Sequence, residues 1–224
     1  MVVQWLGQAG LLLEIAGLKV LVDPYFSDSV AKVNPNNYRR IPVKEEWFGI
    51  EPDVLVFTHD HLDHFDPETA ERLLAKDKPI LVLSPASVWQ KARKYGGVHN
   101  YVQFNAGTEW TEKGVHFRAV PANHSDEFAI GVVISDGEKT CYISGDTLYD
   151  RKVIEAVGTG VDVAFLPING VGNNMNAVDA DRFANAIGAK LFVPIHYGLF
   201  DSLDPTLPEN PRKLIAKVGD AFQV

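Results

Sequence analysis

The 224-residue sequence contains a single cysteine, Cys141, and two methionines, and it has no low-complexity tract. One cysteine excludes an internal disulfide and fits a reducing compartment. No apolar run approaches the length needed to span a bilayer. Met1-Val2-Val3-Gln4-Trp5 opens like a strand, without the charged, apolar and cleavage segments of a secretory leader. Basic charge is also scarce. Lys and Arg number 21 against 29 Asp and Glu, giving a net charge of −8. The densest basic cluster, Lys91 to Lys94, reads as the polar face of a helix, so no stripe offers phosphate neutralisation. The expectation is a soluble cytoplasmic protein whose partner is a small molecule, not nucleic acid or a membrane.

Hydrophobic residues make up 46% of the chain, enough for one sizeable domain over residues 1–224, or one domain of two fused halves. Val2 to Leu6 and Leu11 to Ile15 flank Gly7-Gln8-Ala9-Gly10, a hairpin signal, and Leu18 to Val22 follows as a third strand ending at Asp23-Pro24. Residues 25–49 form a long connection rich in Asn, Pro and aromatics, of the kind that serves as an active-site lid or as a plain surface excursion. Asp66-Pro67-Glu68 starts a helix running to about Ala75. Pro79 to Leu83 reads as a buried strand, and Ser87 to Tyr95 as a helix stopped by Gly96-Gly97. Short strands are expected around Val102, Glu109 and His116 to Val120. Ser135-Asp136-Gly137-Glu138 joins the strands Ala129 to Ile134 and Lys139 to Ile143 as a hairpin. A helix from about Tyr149 to Val157, the strand Val163 to Leu166, a helix capped by Asn176 and the strand Leu191 to Val193 follow. A last helix is expected near Asn210 to Lys217. Trp5, Trp89 and Trp110 are expected in the core.

The densest chemistry lies in Thr58-His59-Asp60-His61-Leu62-Asp63-His64, directly after the apolar run Val54 to Phe57. A strand that ends in His59, His61, Asp63 and His64 delivers imidazoles and a carboxylate to one sheet edge. Neutral imidazole suits Zn²⁺ and its neighbours, and carboxylate oxygen tolerates harder ions. Further polar groups follow apolar runs at Asp23, His124, Asp146 and His196, so side chains from several strand ends can meet at one rim. Three strand segments before residue 84 also recur, in order, between Thr140 and Pro194. A β-sandwich of two halves, with helices outside each sheet, fits both observations.

With His59-x-His61-x-Asp63-His64, His124, Asp146 and His196 in that order, the chain resembles the metallo-β-lactamase superfamily over essentially its whole length. The resemblance implies an α/β four-layer αββα sandwich with two pseudo-symmetric halves and a dinuclear site at one edge. It implies that His59, His61 and His124 hold one metal, that Asp63, His64 and His196 hold the other, and that Asp146 bridges them. Asp23 matches the family's early aspartate, which supports a ligand histidine from behind. Within the superfamily the chain is similar to the L-ascorbate 6-phosphate lactonase-like hydrolases. That similarity is carried by Trp5 to Gly10, Val22 to Tyr25, Val120 to His124, Leu166 to Gly170 and Pro194 to Gly198. Asp146 stands where antibiotic-degrading relatives carry cysteine, and His61 where oxygen-reducing di-iron relatives carry glutamate. The large inserted domain of the RNA-cleaving members is missing.

Two close cations lower the pKa of a bridging water towards ~7. The expected function is therefore a metal-dependent hydrolase using a metal-bridging hydroxide on a small anionic lactone or ester. Asp63 is the catalytic candidate, orienting the nucleophile and carrying a proton to the leaving group. A phosphodiesterase of the same fold and a non-catalytic metal or ligand sensor are the alternatives. All seven candidate ligands are nitrogen or oxygen donors, so two Zn²⁺ or Mn²⁺ ions fit, and Fe²⁺ is compatible. Candidate substrate contacts are Asn169 and Asn174, with Asn173 in the same loop, and Tyr197 beside His196; the asparagines read equally as turn formers and the tyrosine as a packing residue. Arg39 and Arg40 would meet a phosphate from the lid or sit solvated, and Ser125 would donate to a ligand or substrate. His99 and His116 read as structural or exposed, and Cys141 as a buried apolar residue. By analogy with family members that assemble, a homo-oligomer is expected.

Overall fold

The computed structural model describes residues 1–202, 210 and 212–224. Its first half begins with β1 (Val2–Gly7), β2 (Gly10–Ile15) and β3 (Leu18–Val22), an antiparallel meander. From β3 the pairing turns parallel, through β4 (Val54–Val56) and β5 (Leu81–Ser84) to β6 (Asn100–Gln103). The second half repeats this plan. β7 (Glu109–Glu112), β8 (Val115–Pro121), β9 (Ile130–Ser135) and β10 (Thr140–Ile143) pair antiparallel, and β11 (Val163–Pro167) and β12 (Leu191–Ile195) then continue in parallel. Two mixed sheets result, one of seven strands and one of six.

The parallel strands are short apolar runs because both of their faces are covered. In β3, β4 and β5, alternate residues divide between two cores. Val20, Val54, Leu81 and their i+2 neighbours enter the core between the sheets, while Leu21, Leu55 and Val82 face helices outside. Those helices are α2 (Pro67–Leu74) and α3 (Ala86–Ala92). On the second sheet the outer layer is α4 (Arg151–Val157) and α5 (Ala177–Ala186). The expected four-layer sandwich of two similar halves is the architecture observed. Asp66 caps α2, its side chain accepting from the Glu68 and Thr69 amides, and Asn176 caps α5 by accepting from Asp179. Among the described residues no helix is long and apolar enough to cross a membrane.

Register decides where the chemistry goes. Val22, Val56 and Leu83 lie side by side at or next to the ends of β3, β4 and β5. In the other sheet Ile143, at the end of β10, pairs with Phe165, which pairs with Val193, two residues before β11 and β12 end. Because these strands are parallel, the residues after them emerge at one rim.

Two expectations need correction. Of the helix near Asn210 to Lys217, residue 211 lies outside the described residues, and 212–217 are not helical. Lys213 instead bridges to Phe192, and β13 (Ala221–Gln223) adds to β1 as an edge strand. Trp5 is buried, whereas Trp89 and Trp110 are only half-buried. The connection 25–49 contains α1 (Ser29–Val33) and a 3-10 turn (Glu45–Gly49), and it is anchored in the core by Tyr25, Phe26 and Trp47.

Candidate metal centre

Asp23 follows β3 with a left-handed backbone (φ 41°) and is fully buried. Its Oδ1 accepts the Thr58 amide at 2.8 Å, and its Oδ2 accepts the Thr58 hydroxyl at 2.5 Å and His64 Nδ1 at 2.8 Å. A proton fixed on Nδ1 leaves His64 Nε2 as a lone-pair donor facing the rim.

His64 Nε2 lies 3.2 Å from His196 Nε2 and 3.3 Å from Asp146 Oδ1. His196 Nε2 lies 3.1 Å from Asp63 Oδ2 and 3.2 Å from Asp146 Oδ1. On the other side, His61 Nδ1 is 3.2 Å from His124 Nε2, while Asp146 Oδ2 is 3.9 Å from His124 Nε2 and 4.0 Å from His59 Nε2. Asp146 thus turns one carboxylate oxygen to each of two groups: His59, His61 and His124, and Asp63, His64 and His196. In each of the sets His59–His61–His124–Asp146 and Asp63–His64–His196, the candidate ligand atoms lie within 4.8 Å of one another. Nitrogens held at 2.0–2.1 Å by one tetrahedral ion are about 3.3 Å apart, close to the 3.2 Å of the His61–His124 and His64–His196 pairs. His59 Nε2 and Asp146 Oδ1 are buried without a hydrogen-bond partner. Orphaned donors of this kind in a nitrogen-and-oxygen cage fit a divalent cation.

Electrostatics separates the two groups. Burial pushes the His59 and His124 imidazoles below their ordinary range, towards the neutral form that ligates metal. At His64 and His196 burial acts in the same direction, but the carboxylates of Asp146 and Asp63 outweigh it and raise both. Conversely, burial opposes the charge on Asp63 and Asp146, and the facing histidines hold both well below the usual carboxylate range. A cation bound there displaces protons from His64 and His196, so its affinity falls as pH falls.

Backbone details bring these groups together. Gly145 has φ 58°, and a Cβ there would stand 2.8 Å from the Thr58 side chain and 3.0 Å from the Ile130 carbonyl. Only glycine lets the end of β10 press against the Thr58–His59 segment and present Asp146 beside it. Asp126 ties two ligand loops together, its Oδ2 accepting the Asp60 amide at 3.0 Å and the Ser87 hydroxyl at 2.6 Å.

The rim opens into a cavity of about 430 Å³ with His61, Asp63, Asp146 and His196 at its base. Asn169 and Asn174 line it, as do Asn173 and Ser125. Asn174 Nδ2 donates to Asp146 Oδ2 at 2.8 Å. Val30 and Asn37 of the 25–49 connection form another side with Phe200 and Asp201. Tyr197 is buried in the core, its ring centroid 5.2 Å from that of Trp5, and does not line the cavity. Arg39 Nη1 donates to the Tyr25 carbonyl at 2.6 Å, and Arg40 donates to the Phe200 carbonyl. His99 is structural, joined to the Ile80 amide and the Leu74 carbonyl, and His116 lies on the second sheet's edge strand pair near Glu109. Cys141 is buried, which pushes its thiol up.

Gln8 was not among the expected site residues. It is buried in the β1–β2 turn, and its Nε2 donates to Asp63 Oδ2 at 2.7 Å and stands 3.0 Å from His196 Nε2. The turn signal that located the hairpin concealed a polar side chain pointing back into the rim.

The family model for the beta-lactamase superfamily domain matches residues 19–197. A UPF0173 metal-dependent hydrolase of Staphylococcus aureus is 32% identical, over 96% of this chain and 92% of that protein. Among solved structures, the isothiocyanate hydrolase from Delia radicum gut bacteria superposes with TM-score 0.77 at 19% identity, covering 100% of this chain and 99% of that one. The metallo-beta-lactamase fold protein YhfI of Bacillus subtilis gives TM-score 0.72 at 17% identity, over 99% and 98%.

Proposed function

The chain belongs to the metallo-β-lactamase superfamily and, within it, to the UPF0173 metal-dependent hydrolases; from that premise we propose that it opens a small lactone or cleaves a small ester. The observation that carries the reading is the division of the Asp146 carboxylate between two groups of candidate ligands, with Asp63 beside one of them. In this reading His59, His61, His124 and Asp146 would hold one cation, and Asp63, His64 and His196, with Asp146, would hold a second. Divalent cations supply Lewis acidity there and lower the pKa of water to near ~7.

The protein's own groups complete the chemistry. Gln8 and His196 engage Asp63 Oδ2, and Oδ1 makes no hydrogen bond to a described residue. Oδ1 is the atom that accepts a proton from the attacking water. Water oxygen adds to the acyl carbon, the carbon–oxygen bond of the ester breaks, and Asp63 returns the proton to the departing alkoxide. Asn174 holds the buried Asp146 in place.

The test is a panel of esters, lactones and phosphodiesters, assayed with protein loaded separately with Zn²⁺, Mn²⁺ and Fe²⁺. Acyl turnover above phosphodiester turnover supports the reading, and preferential phosphodiester cleavage contradicts it.

A further inference from the structure

The cavity above the rim has a composition that the rim chemistry does not require. Apart from the candidate ligands, its polar lining is made of neutral amides and a hydroxyl: Gln8, Asn37, Asn169, Asn173, Asn174 and Ser125. Val30, Val171 and Phe200 supply apolar surface, and the charged residue added to this lining is an acid, Asp201. None of the described lining residues is Lys or Arg, and the stretch 203–209, Leu-Asp-Pro-Thr-Leu-Pro-Glu, contains neither.

The two arginines of the 25–49 connection are turned away from the cavity, although Arg39 Nη2 is buried without a hydrogen-bond partner. Arg39 spends Nη1 on the Tyr25 carbonyl and Nε on the Ile41 carbonyl, with its guanidinium 5.1 Å from the Tyr25 ring centre. Arg40 donates to the Phe200 carbonyl and lies 4.8 Å from the Tyr38 ring centre. Both brace the 25–49 connection against itself and against the segment after β12. Neither lines the cavity.

An anionic group entering such a cavity gives up water without gaining the guanidinium or ammonium donors that normally replace it. It also meets Asp201 in the lining, on a chain of net charge −8. Apolar and amide walls favour the opposite kind of ligand. We infer that the substrate is uncharged away from its reacting acyl group, and that this remote part is a small apolar chain contacting Val30, Val171 and Phe200. The inference rests on the acyl-hydrolase reading and replaces the anionic substrate expected from the sequence alone.

The test compares para-nitrophenyl pentanoate with para-nitrophenyl sulfobutanoate, closely matched esters that differ in a remote sulfonate, on the metal-loaded full chain. The expected result is kcat/KM higher for pentanoate by about tenfold or more, the equivalent of one unreplaced polar interaction. Val171→Lys, at a position 65% exposed, should shift the ratio towards the sulfonate ester. Equal rates, or preference for the sulfonate, overturn the inference. If neither ester is cleaved and no lactone of the panel is opened, the acyl-hydrolase reading fails; whenever both esters are inert, binding decides the charge question separately. Pentanamide should then raise the thermal midpoint of the metal-loaded protein more than sulfobutanamide does, and an equal or larger shift with sulfobutanamide overturns the inference.

Discussion

The His196 backbone N–H donates to the Gln8 carbonyl at 2.9 Å, and both residues hold left-handed backbones, φ 60° and 49°. Such conformations cost of order 1–3 kcal/mol each in non-glycine residues, and they persist where the surroundings fix them. The same two residues meet again through their side chains beside Asp63. One turn between the first two strands thereby sets the position of a histidine 188 residues later.

Removing the Gln8 side chain should therefore act on turnover. Gln8→Ala loses a charge-assisted hydrogen bond of roughly 1.5–3 kcal/mol, so kcat should fall about tenfold to a hundredfold with KM little changed. Steady-state kinetics on the best panel substrate checks this, and an unchanged kcat removes Gln8 from the account.

Asp63→Asn preserves size and removes the proton acceptor. General acid–base help of this kind contributes about 10²–10⁴-fold. Turnover should drop by that order while elemental analysis still finds at least one ion per chain. Wild-type turnover in this variant would exclude the role given to Asp63.

Asp23 acts from behind the rim. Asp23→Ala strips the acceptor from the Thr58 amide, the Thr58 hydroxyl and His64 Nδ1 together. Metal affinity should weaken about 10–100-fold, read by competition with a chelator. Affinity equal to wild type would mean that His64 is oriented by something else.

Gly145→Ala should destabilise the fold. The added methyl meets Thr58 at 2.8 Å and the Ile130 carbonyl at 3.0 Å, on a backbone with φ 58°. Overpacking and left-handed strain together cost about 2–4 kcal/mol. Urea unfolding of the metal-free protein measures the loss, and an unaltered midpoint would contradict the close approach.

Asp162 gives a pH signature away from the metal centre. It is buried at the start of β11, accepting Lys190 Nζ and the Thr140 amide, each at 2.8 Å. Burial opposes its charge, but these partners outweigh burial and hold the carboxyl below its ordinary range. A lowered folded-state pKa stabilises the fold above the unfolded value, about 3.9, and that contribution is lost as pH falls through the folded value. Asp162→Asn should cost about 1–2 kcal/mol at pH ~7. The difference from wild type should shrink below pH ~4 in urea unfolding of the metal-free protein. A pH-independent difference would mean that the loss is not electrostatic.

The parts of this protein that were legible in the sequence are those with local causes. The runs at Val20, Val54, Leu81, Val163 and Phe192 announce strands covered on both sides, and Asp66 and Asn176 are caps that act within three residues. The recurrence of strand segments reflected a real repetition of pairing, from antiparallel to parallel, in both sheets. Long-range pairing had no such signal. Residues 212–217 carry helix-forming side chains, yet Leu214 donates to the Phe192 carbonyl and Phe192 to that of Arg212, so the chain is captured by the edge of β12. β13 pairs with β1 across nearly the whole sequence. Gln8 and Asp126 were missed for a related reason. Each lies in a turn where a polar residue is ordinary, and only the fold shows that it faces ligands from another strand.

The most direct test of the central claim, two cations shared through Asp146, is elemental analysis of Zn²⁺-loaded protein after removal of free metal. The account predicts two ions per chain in the wild type and fewer than two per chain in Asp146→Ala. One ion per chain in the wild type, or two ions retained in Asp146→Ala, would contradict it.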